Sequence, residues 1–304
     1  MKYCCIGEQL MKFGVSSMFF GDMSIESFFS EVEDVKGIRL IDLWYDTPFH
    51  LMETPKKRSN VIKKVIEWKN KSGLDLISHA ASIDINPIAY NPALRLSSII
   101  EAKKSLYFAN DLGIKKVTLH GGSSSFASPV SRNDREFLKL FLNELLNFLE
   151  NERLPIQICI ENDAGTNGNT RPFELWSLFK EILIQMPTLG ITLDLAHVLK
   201  TNGMSRCTGN KIKINAAMDI TRKFPDRIHI IHISEPNAIR THGRTSDDAY
   251  ELFSRVMSTL KEHRSLENLN VILEYASEEF AGIKAMKAAI SADIKRLKSI
   301  EEES

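Results

Sequence analysis

The sequence predicts an α/β fold, a single-domain (β/α)8 barrel, and three observations carry that expectation. Eight short apolar runs recur at nearly even intervals along the 304 residues. Segments with helical apolar spacing lie between them. Each of the last six runs ends in a side chain able to ligate a metal, followed at once by loop-forming residues. With 43% apolar residues the chain can bury one large core.

The runs are residues 13–17, 38–44, 74–79, 116–120, 156–161, 191–194, 228–232 and 271–274. Each is short, apolar and rich in β-branched residues or leucine, as buried strands are. Between them, Val61, Val65 and Trp68 recur at helical spacing after Pro55. Ile99, Ala102, Leu106, Ala109 and Leu112 do so before Gly113, a C-terminal stop. Residues 137–149 carry one apolar stripe, 173–184 follow Pro172 at a first helical position, and 214–224 end before Pro225. Residues 249–260 and 283–297 complete the helices. No Pro/Gly/Ser-rich linker divides the chain. One domain over 1–304 is expected, with a barrel core over about 11–276 and a terminal helix over about 278–300.

Alternating strands and helices suit an open parallel sheet or a closed TIM barrel. An open sheet gathers ligands at one crevice, so two or three strands should end in chemistry. Here six do, which favours the barrel, whose strands all aim their C-terminal ends at one mouth. The absence of GxGxxG after any run weakens a dinucleotide reading.

Charge and composition narrow the partners. Lys plus Arg and Asp plus Glu both number 39, so no global basic footprint marks a nucleic-acid binder. The four cysteines show no CxxC spacing, the start MKYCCIGEQL lacks a signal-peptide core, and no apolar run is long enough to span a bilayer. A cytoplasmic protein with no membrane segment is expected.

The chemistry-bearing residues close the strands: His79 in ISHAA, His120 in TLHGG, Glu161 in ICIEN, Asp194 and His197 in ITLDLAH, His232 in IHIIHIS and Glu274 in VILEY, with His242 in RTHGR. A lone histidine at a strand end is ordinarily a hydrogen-bonded structural residue. Several carboxylates and imidazoles in one mouth are different, because burying them without a cation costs several kcal/mol per unpaired charge. Glu161, Asp194, His232 and Glu274 are therefore expected to hold a metal. Alternation turns Cys159 inward beneath Glu161 as core filling, and sends His229 to the helix-facing side as a structural residue. His50 and His263 are expected at the surface.

The motifs HAASIDINP, LHGG, IENDAG, DLAH and HIS followed by His242 resemble the xylose isomerase-like (β/α)8 superfamily, also known as AP endonuclease family 2. That superfamily contains endonuclease IV and the sugar phosphate isomerases and epimerases. The resemblance runs from about residue 13 to 274 and implies that Glu161, Asp194, His232 and Glu274 occupy the shared metal positions. It also implies that His79, His120, His197 and His242 match the zinc ligands of the endonuclease IV branch, which binds three zinc ions. This chain departs from that branch in carrying Arg240 in place of an aspartate and Ser82 in place of a DNA-contacting tyrosine. Two zinc ions and a substrate other than abasic DNA are the resulting expectation.

Two enzymatic readings follow. In the first, two zinc ions drive hydrolysis of a phosphoester or phosphodiester in a small substrate. His79 and His120 hold one ion, Asp194, His232 and Glu274 the other, and Glu161 bridges. Glu161, His197 and His242 then form the catalytic set, with Asn162, Arg240, Arg244 and Trp44 contacting substrate. In the second, a single Mn2+ or Mg2+ on Glu161, Asp194, His232 and Glu274 serves an aldose–ketose isomerase or epimerase, and His79 and His120 contact the sugar. A third, a binding barrel without turnover, is disfavoured by the near-complete ligand set.

Overall fold

The computed structural model describes residues 11–20, 23–46, 55–124, 130–164, 170–200, 206–235, 243–275 and 280–303. The expected apolar runs form β1 (Met11–Ser16), β2 (Leu40–Trp44), β3 (Asp75–His79), β4 (Lys116–Leu119), β5 (Gln157–Glu161), β6 (Gly190–Asp194), β7 (Ile228–Ile233) and β8 (Leu269–Leu273). All pair in parallel, in sequence order, and β1 pairs with β8 to close the barrel. The fold is a single-domain (β/α)8 TIM barrel.

Alternation then sorts the side chains. Leu40, Ile77, Cys159, Ile230 and Ile272 meet inside the barrel as a small cluster, and the Thr118 and Thr192 hydroxyls meet across it at 2.9 Å. Cys159 is thus core filling. The opposite faces of the strands, including Ile41, Leu43, Leu119, Ile160, Leu193 and Val271, pack with helix residues such as Phe28, Phe108, Phe141, Phe179 and Phe253 in the main core. Among the described helices none is long and apolar enough to cross a membrane.

The helices are α1 (Ile25–Glu33), α2 (Pro55–Ser72), α3 (Pro92–Asp111), α4 (Arg132–Asn151), α5 (Trp176–Gln185), α6 (Leu195–Leu199), α7 (Arg206–Lys223), α8 (Asp247–His263) and α9 (Ile283–Glu303). Two differ from expectation. Pro172 opens a 3-10 turn, Pro172–Glu174, and Leu175 in extended conformation separates it from α5. Residues 195–199 form the short helix α6, because the Asp194 carboxylate accepts from the His197 amide and caps its start.

A register irregularity corrects one expectation. Ile191 pairs with Ile228 but Thr192 with Ile230, so His229 has no residue opposite it. The extra residue breaks the alternation that would have turned His229 toward the helices. Its ring instead lies against Gly190, where a Cβ would come within 2.6 Å of His229 Cδ2 and 2.8 Å of Cys159 Sγ. His229 thus sits at the N-terminal end of the barrel interior, where burial and the nearby Lys116, Arg264 and Arg227 push its pKa down to about 4.

Candidate metal centre

Six strands deliver their terminal side chains to one mouth. His79 closes β3, His120 follows β4, Glu161 closes β5, Asp194 closes β6, His232 lies on β7 and Glu274 follows β8. His120 is half-buried and the other five are buried. They form two groups sharing Glu161: His79, His120 and Glu161, and Glu161, Asp194, His232 and Glu274. Within each group the ligand atoms all lie within 4.8 Å of one another.

The first group is held by its outer contacts. His79 Nδ1 donates to the Ala80 carbonyl at 2.9 Å, and His120 Nδ1 donates to Asp163 Oδ1 at 2.8 Å. Both Nε2 atoms then converge, 3.2 Å from each other and 3.4 and 3.2 Å from Glu161 Oε2. Such acceptors behind the rings fix tautomer and ring direction at metal sites. Loop geometry helps: Gly122 adopts φ +85°, and a Cβ there would meet Asn86 Oδ1 at 2.6 Å. Only glycine lets the β4 loop pass so close.

In the second group, His232 Nδ1 lies 2.9 Å from Glu161 Oε1 and 3.2 Å from Glu274 Oε2. Asp194 is fixed from behind. Asn162 accepts from its amide at 2.8 Å and donates to its carbonyl at 2.9 Å, and Asp194 Oδ1 accepts from the His197 amide at 2.7 Å. His197 Nδ1 donates to the Asn162 carbonyl at 2.7 Å.

Buried charge dominates the electrostatics. Burial pushes Asp194 well above the usual carboxylate range, and the neighbouring Glu161 and Glu274 charges add to this. Burial disfavours the charged form of Glu161 too, but His232 and His120 outweigh it and hold the group well below its ordinary value. His232 rises well above the ordinary imidazole range, since Glu274 and Glu161 overcome its burial. Glu161 Oε2, Asp194 Oδ2 and His232 Nε2 are buried without a hydrogen-bond partner. Buried carboxylate oxygens without partners are costly unless something positive completes them. A divalent cation fits the oxygen-rich second group, and the imidazole pair adds a nitrogen-rich position beside it.

Above the ligands lies a cavity of about 230 Å3 bordered by Trp44, His120, Glu161, Arg171, His197 and Glu274, with Ile83, Ile85 and Pro87 on its apolar side. Trp44 stacks on the His79 ring at 3.9 Å between centroids and 21° between planes. Two expected substrate contacts lie elsewhere. Asn162 is fully buried, with its amide committed to the Asp194 backbone. Arg244 is 61% exposed and has Nε 4.0 Å from Asp293 of α9, which is not part of the cavity wall. Arg240 and His242 lie outside the described residues, as does His50.

Three residues were missed in the sequence. Asp163 accepts from the His120 ring at 2.8 Å and from Arg171 at 3.2 Å, and His120 and Arg171 keep its carboxyl below the usual range despite burial. Asp163 lies inside the IENDAG motif, two positions after Glu161, and that spacing was the one signal for it. Arg171 stands in a loop that carries no signal of its own. Asp42 lies fully buried in β2, with its carboxyl pushed up to about 6 by burial. An aspartate inside the apolar run IRLIDLW was the available clue.

Fold and ligand set define the class: a (β/α)8 barrel with a candidate metal centre at its C-terminal mouth. The chain belongs to the xylose isomerase-like TIM barrel family, whose sequence profile matches residues 29–300. Two uncharacterized proteins of Methanocaldococcus jannaschii are similar to it. One is 28% identical over 200 residues, covering 62% of this chain and 67% of that protein. The other is 26% identical over 196 residues, covering 62% and 61%. Among solved structures, a D-tagatose 3-epimerase-like protein superposes with a TM-score of 0.73 at 19% identity, over 96% of this chain and 99% of that one. An L-ribulose 3-epimerase does so at 0.68 and 13%, over 96% of both chains. A 3-keto-D-glucoside 4-epimerase from E. coli does so at 0.66 and 14%, over 94% and 99%. At these identities the likeness is one of fold.

Proposed function

We propose that the protein is a divalent-metal-dependent sugar isomerase or epimerase acting on a single small sugar. The observation that carries this reading is the buried, oxygen-rich group of Glu161, Asp194, His232 and Glu274 beneath a cavity of about 230 Å3. That volume lies just below the roughly 300–1,000 Å3 of drug-sized ligand sites, which suits a monosaccharide better than a polymer. The zinc-ligand pattern in the sequence favours phosphoester hydrolysis; the epimerase neighbours support the sugar reading better.

A Mn2+ or Mg2+ ion held by Glu161, Asp194, His232 and Glu274 would supply polarisation of a substrate carbonyl. The chain's own residues do the rest. Glu161 and Glu274 both border the cavity, from β5 and from the end of β8. Inverting a carbon beside a carbonyl requires a proton to leave one face and another to arrive on the opposite face, so two carboxylates are suited to it. His120, held by Asp163, and His197, held by the Asn162 carbonyl, orient sugar hydroxyls. Arg171 and Trp44 close the sides.

The second reading, hydrolysis with two zinc ions, is favoured by one observation: the imidazole pair His79 and His120 beside Glu161. One experiment separates the two. The purified protein is incubated with Mn2+ and ketoses such as D-tagatose, L-ribulose and D-fructose in D2O, and followed by NMR. The proposal expects a Mn2+-dependent change of configuration with solvent deuterium entering beside the carbonyl. Zinc-dependent release of phosphate or aryl alcohol from phosphoesters, without sugar turnover, would replace it with the hydrolase reading.

A further inference from the structure

Asp42 is a buried charge beside the candidate metal centre that the proposed chemistry does not use. It sits on β2, where Leu40 two positions before it faces the barrel interior, so its side chain enters the same interior just below the mouth. It is fully buried, and neither carboxylate oxygen has a hydrogen-bond partner. A carboxylate in that position costs several kcal/mol unless an opposite charge faces it. What faces it is His232: Oδ2 lies 3.7 Å from Nε2, which also lacks a hydrogen bond. The other ring nitrogen, Nδ1, is turned to Glu161 and Glu274 at the candidate metal position.

We propose that Asp42 is a positioning residue for the metal centre, its carboxylate drawing the Nε2 proton of His232 so that Nδ1 presents its lone pair to the cation. The inference rests on the metal reading of the second group. At 3.7 Å the contact is longer than a hydrogen bond and acts as a charge pair. A carboxylate behind a ligating imidazole sets the tautomer and raises its basicity, and losing it typically costs about 10–100-fold in metal affinity. Because Asp42 makes no hydrogen bond, its contribution to the fold is confined to its attraction to His232, set against the cost of its own desolvation. An Asn at this position therefore separates the two roles.

The test measures Mn2+ affinity from the electron paramagnetic resonance signal of the free ion, with melting temperatures taken in chelator. Asp42→Asn is expected to bind Mn2+ about 10–100-fold more weakly, with an unchanged or higher melting temperature in chelator. In a His232→Gln background the same substitution is expected to change affinity by no more than about twofold, because Asp42 acts through His232. Asp42→Asn binding Mn2+ as the parent does would overturn the inference. So would an equal weakening in the His232→Gln background, or an Asp42→Asn protein that melts lower or does not fold, which would make Asp42 structural. Wild-type protein that binds no Mn2+ would remove the metal reading itself and the inference with it.

Discussion

His79 and His120 aim their Nε2 atoms at each other across 3.2 Å, although each ring has its Nδ1 committed as a donor elsewhere. Two lone pairs so placed need a shared positive partner, a proton or a cation or a substrate hydroxyl. In the sugar reading His120, which borders the cavity, presents this nitrogen to a sugar hydroxyl, while His79 lies buried behind it. His120→Ala is expected to leave about one Mn2+ per chain and to lower kcat/KM by about 10–100-fold, or 1.4–2.8 kcal/mol. Metal analysis beside steady-state kinetics checks it; a fall from two bound ions to one would favour the hydrolase.

Asp163 serves two partners, the His120 ring and Arg171. Asp163→Asn keeps the shape but removes the charge that fixes the imidazole tautomer and anchors the guanidinium. A loss of about tenfold or more in kcat/KM is expected, with Mn2+ affinity at the second group unchanged. Equal activity of the variant would show that neither His120 nor Arg171 needs this anchor.

Cation binding should release protons. The folded-state pKa of His232 is raised well above the ordinary value by Glu274 and Glu161. A cation on Nδ1 must displace that proton. Apparent Mn2+ affinity is therefore expected to fall as pH drops and to rise towards alkaline pH. Calorimetry in two buffers of different ionisation enthalpy counts the protons, and a count of zero at pH 7 would contradict this arrangement.

At the other end of the barrel, His229 is held near pKa 4 by burial and by Lys116, Arg264 and Arg227. The unfolded chain takes up the proton near pH 6.5, before the folded protein does, so stability is lost as pH falls from there towards about 4. His229→Gln is expected to flatten this slope in urea titrations at several pH values. Gly190→Ala, whose Cβ would meet His229 and Cys159, is expected to cost about 1–3 kcal/mol. A slope unchanged by His229→Gln would assign the pH dependence to other groups.

Much of this was legible because barrel strands are short, apolar and end in their chemistry. Eight runs, alternation and loop glycines were enough to place Glu161, Asp194, His232 and Glu274 at one mouth and Cys159 inside. His229 was misplaced because a strand irregularity leaves no mark in periodicity. Asn162 was read as a substrate contact because nothing in the letters tells which way an amide turns; it is spent on the Asp194 backbone. Arg244 and Arg171 differ in placement for a similar reason. Loop arginines look alike until the fold aims one at the cavity and the other at α9.

The most direct measurement is an anomalous difference map from crystals soaked in Mn2+. The account expects a peak bounded by the carboxylates of Glu161, Asp194 and Glu274 and by His232 Nδ1, at about 2.0–2.6 Å from its ligands. No peak at saturating Mn2+, or one placed away from these four side chains, would contradict it.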